Sequence, residues 1–226
     1  MVSKKVSVKA GFKIDAEATA ATSTLRDRLL QALAGQSVNI AISKIQIKSS
    51  AGTVLGEVSV SPANWSNYTL SVDVPISVSG TVDHFALVAP DGAELFTYTP
   101  TPFSVAAGDV VHIEWTLSLN LGSNMNSVST RILEFIIGAV SDITIATVVF
   151  AEAGSLRLSD SPDSVTPDTA NDRVTVSGSV TIGSTEVTYD EVWLRDSSGN
   201  ELFKISASGY LEPNTTYNYT IEVSMT

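Results

Sequence analysis

Residues 40–47 read Ile-Ala-Ile-Ser-Lys-Ile-Gln-Ile, and apolar side chains recur at nearly every second position. Because successive side chains of a strand point to opposite faces of a sheet, this alternation predicts a strand with one buried face. Residues 111–119, Val-His-Ile-Glu-Trp-Thr-Leu-Ser-Leu, alternate in the same way. Asp91-Gly92 and Ser198-Gly199 each separate two strand-like runs and predict tight hairpin turns. The sequence therefore predicts an all-β protein.

One short helix is predicted ahead of the strands in each half of the chain. Apolar residues at helical spacing form one face of the first helix: Leu25, Leu29, Leu30 and Leu33. The second helix has the corresponding face Ile132, Leu133 and Ile136. Candidate capping residues and glycines bound both helices, namely Ser23 or Thr24 with Gly35, and Ser129 or Thr130 with Gly138.

The order of these features repeats along the chain. Four blocks match between the halves: Arg28–Gln31 with Arg131–Glu134, Val78–Val82 with Val176–Val180, Gly92–Phe96 with Gly199–Phe203, and the alternating run 111–117 with the run 217–223. Four matches in one order predict two tandem copies of a single domain, residues 21–122 and 123–226. The segment 121–126 is rich in Gly, Ser and Asn and is the predicted linker. About seven or eight short strands per copy predict two tandem jelly-roll-like β-sandwich domains, each opening with a short α-helix.

Composition excludes several classes of protein. The 226 residues include 13 basic and 24 acidic side chains, which give a formal charge of −11. This acidic balance argues against nonspecific nucleic-acid binding. The absence of Cys excludes disulfides, thiolate metal sites and a cysteine nucleophile. Only 16% of the residues are charged, whereas 54 are Ser or Thr, so strands with hydroxyl-bearing outer faces are expected.

Neither a secretory signal nor a membrane span is predicted. Residues 1–5 are polar, and no apolar signal region follows them. The most apolar stretch, 132–150, is long enough to cross a bilayer, but it contains Glu134 and Asp142. Ser and Thr then alternate with Ile and Val. A helix followed by a strand accounts for this stretch better than insertion into a membrane.

Residues 1–20 stand outside the repeat and are unusually basic. Lysines alternate there with apolar residues, and the segment of interest comprises Lys4, Lys5, Val6, Val8, Lys9, Phe12 and Lys13. One interpretation is an extra edge strand of the first sandwich with a solvated lysine face, because charge on an edge discourages aggregation. The other is an extended arm that adds as a strand to a neighbouring subunit.

A catalytic, cofactor or metal site is not predicted, and the chain is expected to be non-enzymatic. The two histidines, His84 and His112, have no counterparts in the second copy, and His112 should point outward from its strand. Established nucleophile, zinc-hydrolase and phosphate-loop motifs are missing. Oxygen ligands suited to calcium crowd one loop: Asp160, Asp163, Asp168, Asn171 and Asp172. Their spacing does not match a calcium-binding loop, so a solvated loop is the preferred interpretation.

Two groups of surface residues are candidates for modification or binding. Four Asn-x-Ser/Thr sequons are candidate glycosylation sites: Asn64, Asn67, Asn214 and Asn218. Trp65 and Tyr68 lie in the same predicted loop and could form a small receptor-binding or glycan-binding face. The remaining aromatic residues of interest are expected in the core: Trp115, Trp193, Tyr217 and Tyr219.

The first copy resembles a known class of viral proteins. The helix 25–34 is followed by Phe85-Ala86-Leu87-Val88, and Pro102–Asp109 then leads into the run 111–119 with Trp115. This order resembles small β-sandwich virion proteins of tailed phages. Two jelly-rolls in tandem also resemble the turret and vertex proteins of icosahedral archaeal viruses. The second copy departs from the pattern, since Ile221 stands in place of Trp115.

The resemblance implies a non-enzymatic structural component of a virus particle, located in the virion. The expected role is a capsid turret, vertex or decoration protein, with one copy anchoring and the other displayed. Its expected partners are other virion proteins and further copies of itself, in a pentamer or a trimer. The first alternative is a tail-tip, fibre or baseplate protein that binds a host-surface receptor or glycan. The second is a carbohydrate-binding β-sandwich protein of a cell surface.

Overall fold

The computed structural model describes residues 3–16 and 20–225, and it confirms the all-β class. The elements before residue 122 are β1 (Ser3–Ala16), β2 (Ala20–Ala21), α1 (Ser23–Leu33), β3 (Lys44–Lys48), β4 (Val54–Ser59), β5 (Trp65–Ser66), β6 (Thr69–Pro75), β7 (Gly80–Val82), β8 (His84–Val88), β9 (Glu94–Tyr98), β10 (Phe103–Val105) and β11 (Val110–Leu121). Those after it are β12 (Met125–Val128), α2 (Arg131–Ile136), β13 (Ile145–Glu152), β14 (Ser155–Asp160), β15 (Ser164–Asp168), β16 (Arg173–Thr181), β17 (Val187–Asp196), β18 (Glu201–Leu211) and β19 (Thr216–Met225). Short 3₁₀ turns occupy Pro62–Asn64 and Thr169–Asn171.

Two of the sheets have matching strand orders. One five-stranded sheet has the order β2-β9-β8-β3-β4, and the other has the matching order β12-β18-β17-β13-β14. A seven-stranded sheet, β15-β16-β19-β1-β11-β6-β5, takes strands from both halves, and β7 pairs separately with β10. Each half therefore contributes one sheet of its own and part of a shared sheet. The finer assignment to two tandem jelly-roll domains, 21–122 and 123–226, stays a prediction.

The basic N-terminal segment is an interior strand within this chain, so the prediction of an edge strand was wrong. In β1, residues 3–12 pair in parallel with residues 216–225 of β19. Residues 12–16 pair in antiparallel fashion with residues 117–121 of β11. Alternation fixes which face of a strand is polar, but it does not fix whether one or both edges have a partner. All seven predicted arm residues lie in β1, and their addition to a neighbouring subunit stays a prediction.

The two halves contact each other reciprocally and share one core. A Cβ on Gly35 would stand 3.0 Å from Thr144 Cγ2, and one on Gly138 would stand 3.2 Å from Ala41 Cβ. Gly138 and Thr144 lie 103 positions after Gly35 and Ala41, so the same contact occurs twice with the halves exchanged. Helix α1 packs against β15 and β16, and α2 packs against β11. A single buried apolar cluster contains residues of both halves, so neither half buries its core alone.

Both helices occur where the sequence predicts them, but the first cap differs. Thr22, rather than Ser23 or Thr24, caps α1, and its Oγ1 accepts from the N–H of Leu25 at 3.2 Å. Thr22 has extended backbone, whereas the next two residues are already helical. Gly35 and Gly138 follow the helices with φ of 76° and 79°, which confirms their role as stops. The apolar stretch 132–150 is a helix followed by a strand, as predicted. Within the described ranges, neither helix is long and apolar enough to cross a membrane.

One of the four predicted matches between the halves, Val78–Val82 with Val176–Val180, was wrong. Residues 176–180 lie in β16 and pair with β19, so their counterpart in the first half is residues 70–74 of β6, which pair with β11 in the same way. Residues 80–82 form β7 instead and pair with β10. Short runs of Val, Ser and Gly fit any exposed strand equally well, so this block carried little information about equivalence.

Three of the four predicted core aromatics lie in the main core. Trp115, Tyr217 and Tyr219 are each at most 5% exposed and belong to the shared cluster. Trp193 is also buried, but it packs with Val149 and Ala151 in a separate cluster. Its ring lies beneath two cations, with Arg195 Cζ 5.0 Å and Lys204 Nζ 4.6 Å from the ring centroid.

Candidate functional site

The hairpin that joins β5 to β6 has an unusual turn. Its two central residues, Asn67 and Tyr68, both have positive φ, 47° and 61°. Two-residue hairpins of this kind favour Asn followed by Gly, because a side chain is disfavoured in the left-handed region. Tyrosine in that region costs on the order of 1–2 kcal/mol. The sequence thus keeps a large aromatic residue at a position where glycine would be more stable.

Tyr68 and Trp65 line a groove between the two halves. The groove has a volume of about 430 Å³, and its lining comprises Trp65, Asn67 and Tyr68 from the first half and Glu134, Ile137, Ala139 and Val140 from the second. The Tyr68 hydroxyl donates to Glu134 Oε1 at 3.4 Å. The sequence predicted Trp65 and Tyr68 as a binding face, and the structure places them together. The sequence did not identify Glu134, because this residue lies 66 positions from Tyr68, in helix α2 of the other half.

The polar groups of this groove are of mixed type. Trp65 is partly buried, and its Nε1 is a buried donor without a hydrogen-bond partner. A buried donor that lacks a partner costs about 1–3 kcal/mol. Asn67 is exposed at the rim and can both donate and accept. The groove therefore combines two aromatic rings, the Tyr68 hydroxyl group, the Asn67 amide and one carboxylate.

A turn of the second half also contacts a helix of the first half, but through different residues. Asp172 precedes β16 as Tyr68 precedes β6, and it also has a positive φ of 47°. Its carboxylate pairs with Arg26 of α1 at 3.3 Å. Aspartate is far more common than tyrosine in the left-handed region. A turn of one half can therefore contact a helix of the other half through a simple ion pair, without an aromatic groove.

The other predicted glycosylation sites do not line this groove. Asn64 Oδ1 accepts from the N–H and the hydroxyl of Ser61 at 2.8 and 3.0 Å. Asn214 is exposed in the turn between β18 and β19 and has a positive φ of 53°. Asn218 is exposed on β19, between β16 and β1. Whether any of the four sequons carries a glycan stays a prediction.

Three residues on the outer face of the seven-stranded sheet have the order of a serine hydrolase relay. Asp73 Oδ1 lies 2.7 Å from His112 Nδ1, and Ser71 Oγ lies 3.4 Å from His112 Nε2. The hydrogen bond with Asp73 raises the pKa of His112. His112 and Asp73 are 58% and 71% exposed, so water solvates both side chains. A nucleophilic serine needs a neutral base and preorganised oxyanion donors. A solvated histidine with a raised pKa on an open sheet face does not meet these needs.

His84 and the acidic residues considered as calcium ligands form hydrogen bonds and ion pairs with neighbouring side chains. His84 Nε2 lies 3.1 Å from Glu94, whose carboxylate also pairs with Lys48 at 2.7 Å. The five predicted oxygen ligands do not share one loop, because Asp160 ends β14 and Asp168 ends β15. Asp160 accepts from the Tyr219 hydroxyl at 2.7 Å. Asp168 accepts from Asn171 and Arg173, which lower the pKa of its carboxyl group. Among the described residues, no three acidic or histidine side chains stand close enough to hold a metal ion.

Comparisons of the chain with known protein families, with curated proteins and with solved structures found no match. The functional conclusions therefore rest on the residues and contacts described above.

Proposed function

We propose that this chain is a non-enzymatic structural subunit of a virus particle, most simply a turret, vertex or decoration component. The proposal is supported by one surface, the outer face of the seven-stranded sheet over β15, β16 and β19. We call it the hydroxyl face, and its members are Ser164, Thr166, Thr175, Ser177, Ser179, Thr181, Thr216, Thr220 and Ser224. Its hydroxyl groups pair across strands, Ser164 with Ser177 at 2.8 Å and Thr181 with Thr216 at 2.9 Å.

Three charged side chains beside the hydroxyl face pair with one another. Arg173 lies 3.0 Å from Asp168 and 3.3 Å from Glu222, so these three side chains form a small network at one end. Burying an unpaired charge in a contact is costly, whereas hydroxyl groups can exchange water for protein partners. A wide face with paired charges suits a subunit that packs against virion proteins or against copies of itself in a pentamer or a trimer.

The roles of anchoring and display, expected of the two copies, are better assigned to two faces of the whole chain. Because the halves share a core and a sheet, an isolated half would expose apolar residues that its partner covers. We therefore propose that the division of roles lies between faces of one rigid block. The hydroxyl face would anchor the subunit, and the surface around Trp65 and Tyr68 would be displayed.

The mass of the purified chain in solution, measured by light scattering, tests self-assembly. We expect a closed oligomer, because structural subunits usually form symmetric assemblies. Ser179→Glu together with Thr166→Glu adds two charges to the hydroxyl face and should reduce the mass to that of the monomer. Ser208→Glu, at an exposed position on β18, is the matched control and should leave the mass unchanged. A monomer at every concentration, unaffected by either variant, would contradict the self-assembly proposal.

A second candidate function is favoured by the groove at Trp65 and Tyr68. A tail-tip, fibre or baseplate protein, or a carbohydrate-binding surface protein, would use such a groove to bind a receptor or a glycan. The strained Tyr68 supports this candidate, since strain at a turn points to a role for the side chain. Binding of cells or glycans by a chain that stays monomeric would favour it over the capsid role.

A further inference from the structure

We propose that the groove lined by Trp65, Tyr68 and Glu134 binds one pyranose ring of a saccharide. This inference rests on the second candidate function and names its class of ligand, and it does not depend on a place in a virus particle. It rests on the backbone conformation of the turn, on the chemistry of the lining residues and on the comparison with the other half.

The turn conformation shows that the Tyr68 side chain is retained at a cost. Asn67 and Tyr68 occupy the two positions of the turn that require positive φ. Glycine at the second position would relieve the strain and keep the hairpin. The residue before β16 is Asp172, which ends a longer connection with a 3₁₀ turn, tolerates this conformation and pairs with Arg26. A turn of one half can therefore contact a helix of the other half without tyrosine, and we infer that the aromatic ring of Tyr68 serves another purpose.

The lining residues select the class of ligand. Aromatic rings stack on the apolar C–H faces of sugars, while sugar hydroxyl groups both donate and accept hydrogen bonds. Glu134 accepts, the Tyr68 hydroxyl donates or accepts, and the amide of Asn67 does both. An anionic ligand would be repelled by the Glu134 carboxylate. A simple cation would leave the Asn67 amide donors unused. A neutral polyol uses the Glu134 carboxylate, the Tyr68 hydroxyl group and the Asn67 amide.

The size and place of the groove fit a single ring. A volume of about 430 Å³ is in the range of small-molecule sites and exceeds that of one monosaccharide. The groove is bounded on one side by a hairpin of the first half and on the other by α2 and the residues that follow it. A ring held there would be stacked on one wall and hydrogen-bonded to the other.

The test is a titration of the full chain with the methyl glycosides of glucose, galactose and mannose and with N-acetylglucosamine. Trp115 and Trp193 are 5% and 4% exposed, so a change in tryptophan emission would report chiefly on Trp65. We expect saturable binding of at least one probe, on the order of 1 mM. Saturation-transfer NMR should detect the same probe in contact with aromatic protons.

Three variants separate binding from folding. Tyr68→Gly suits the turn and should keep the melting temperature near that of the parent, yet weaken binding about tenfold or more. Glu134→Gln should weaken binding by a similar factor. Tyr210 and Glu186 form a second Tyr–Glu pair at 2.8 Å, outside the groove, so Tyr210→Ala is the matched control and should bind normally. The inference is overturned if no probe binds saturably, or if Tyr68→Gly binds as well as the parent.

Discussion

A methyl group at position 178 would collide with a buried ring. Gly178 faces Tyr219, and a Cβ built on the glycine would stand 2.6 Å from Tyr219 Cζ. Tyr219 is 1% exposed and donates to Asp160 at 2.7 Å. Its ring meets Phe150 edge-on, with centroids 5.9 Å apart. Gly178→Ala should therefore displace the tyrosine ring and pull its hydroxyl away from Asp160.

The size of the effect follows from these two contacts. Overpacking a close-packed core costs about 1–3 kcal/mol. Loss of a hydrogen bond to a carboxylate adds about 1.5–3 kcal/mol. The alanine recovers at most about 1 kcal/mol by restricting the unfolded chain. A net loss of about 3 kcal/mol should lower the melting temperature by about 10 °C for a chain of this length.

Thermal and urea unfolding of Gly178→Ala measure this loss. A Cβ on Gly183 would meet no atom within 4 Å, and this glycine has no positive φ. Gly183→Ala is therefore the matched control and should stay within about 0.5 kcal/mol of the parent. Adding Tyr219→Phe to Gly178→Ala should recover part of the stability, because it removes the hydroxyl but leaves Cζ in place. The reasoning is refuted if Gly178→Ala and Gly183→Ala unfold at the same temperature.

Three further predictions address the shared core, the acid response and β1. Arg131→Met should cost about 3 kcal/mol, because it leaves the 2%-exposed carboxylate of Asp196 without its cation, whereas Arg157→Met at an exposed pair should cost little in denaturant unfolding. Hydrogen bonds from Ser197 and Thr144 lower the pKa of Asp142, so its contribution to stability is present above the ordinary value of 3.8 and is lost as pH falls through the lowered one. Asp142→Asn should therefore destabilise the chain at neutral pH, and the difference from the parent should shrink near pH 3 in unfolding curves. Deleting β1 should uncover the edge of β19 and lead to unfolding or association in light scattering. An unchanged mass and melting temperature would show that β1 is dispensable.

Local structure could be predicted from the sequence because its signals are local. The alternation of residues 111–119 specifies a strand, and the apolar spacing in 25–33 specifies a helix that ends at Gly35. The same holds for the turns at Asp91-Gly92 and Ser198-Gly199. Each of these features depends on residues a few positions apart, and each is present in the structure.

The pairing of strands could not be predicted in the same way. The alternation of lysines and apolar residues in the sequence predicts a polar face for β1, but its neighbours β19 and β11 come from opposite halves of the chain. The candidate groove shows the same limit. Trp65 and Tyr68 could be predicted as neighbours in one loop, whereas Glu134 joins them only because the halves contact each other reciprocally. The left-handed conformation of Tyr68 was also missed, since an Asn-Tyr dipeptide carries no strong turn signal.

The central position of β1 gives the molecule a direction. Its neighbours β11 and β19 are equivalent strands of the two halves, yet β1 runs antiparallel to the first and parallel to the second. The reciprocal relation between the halves therefore does not extend to β1, because this strand is oriented differently toward each of its two neighbours. The seven-stranded sheet also has unlike ends, β5 with two residues and β15 with five. A block with unlike ends can be stacked head to tail, with every copy pointing the same way, whereas a symmetric pair would have no such polarity.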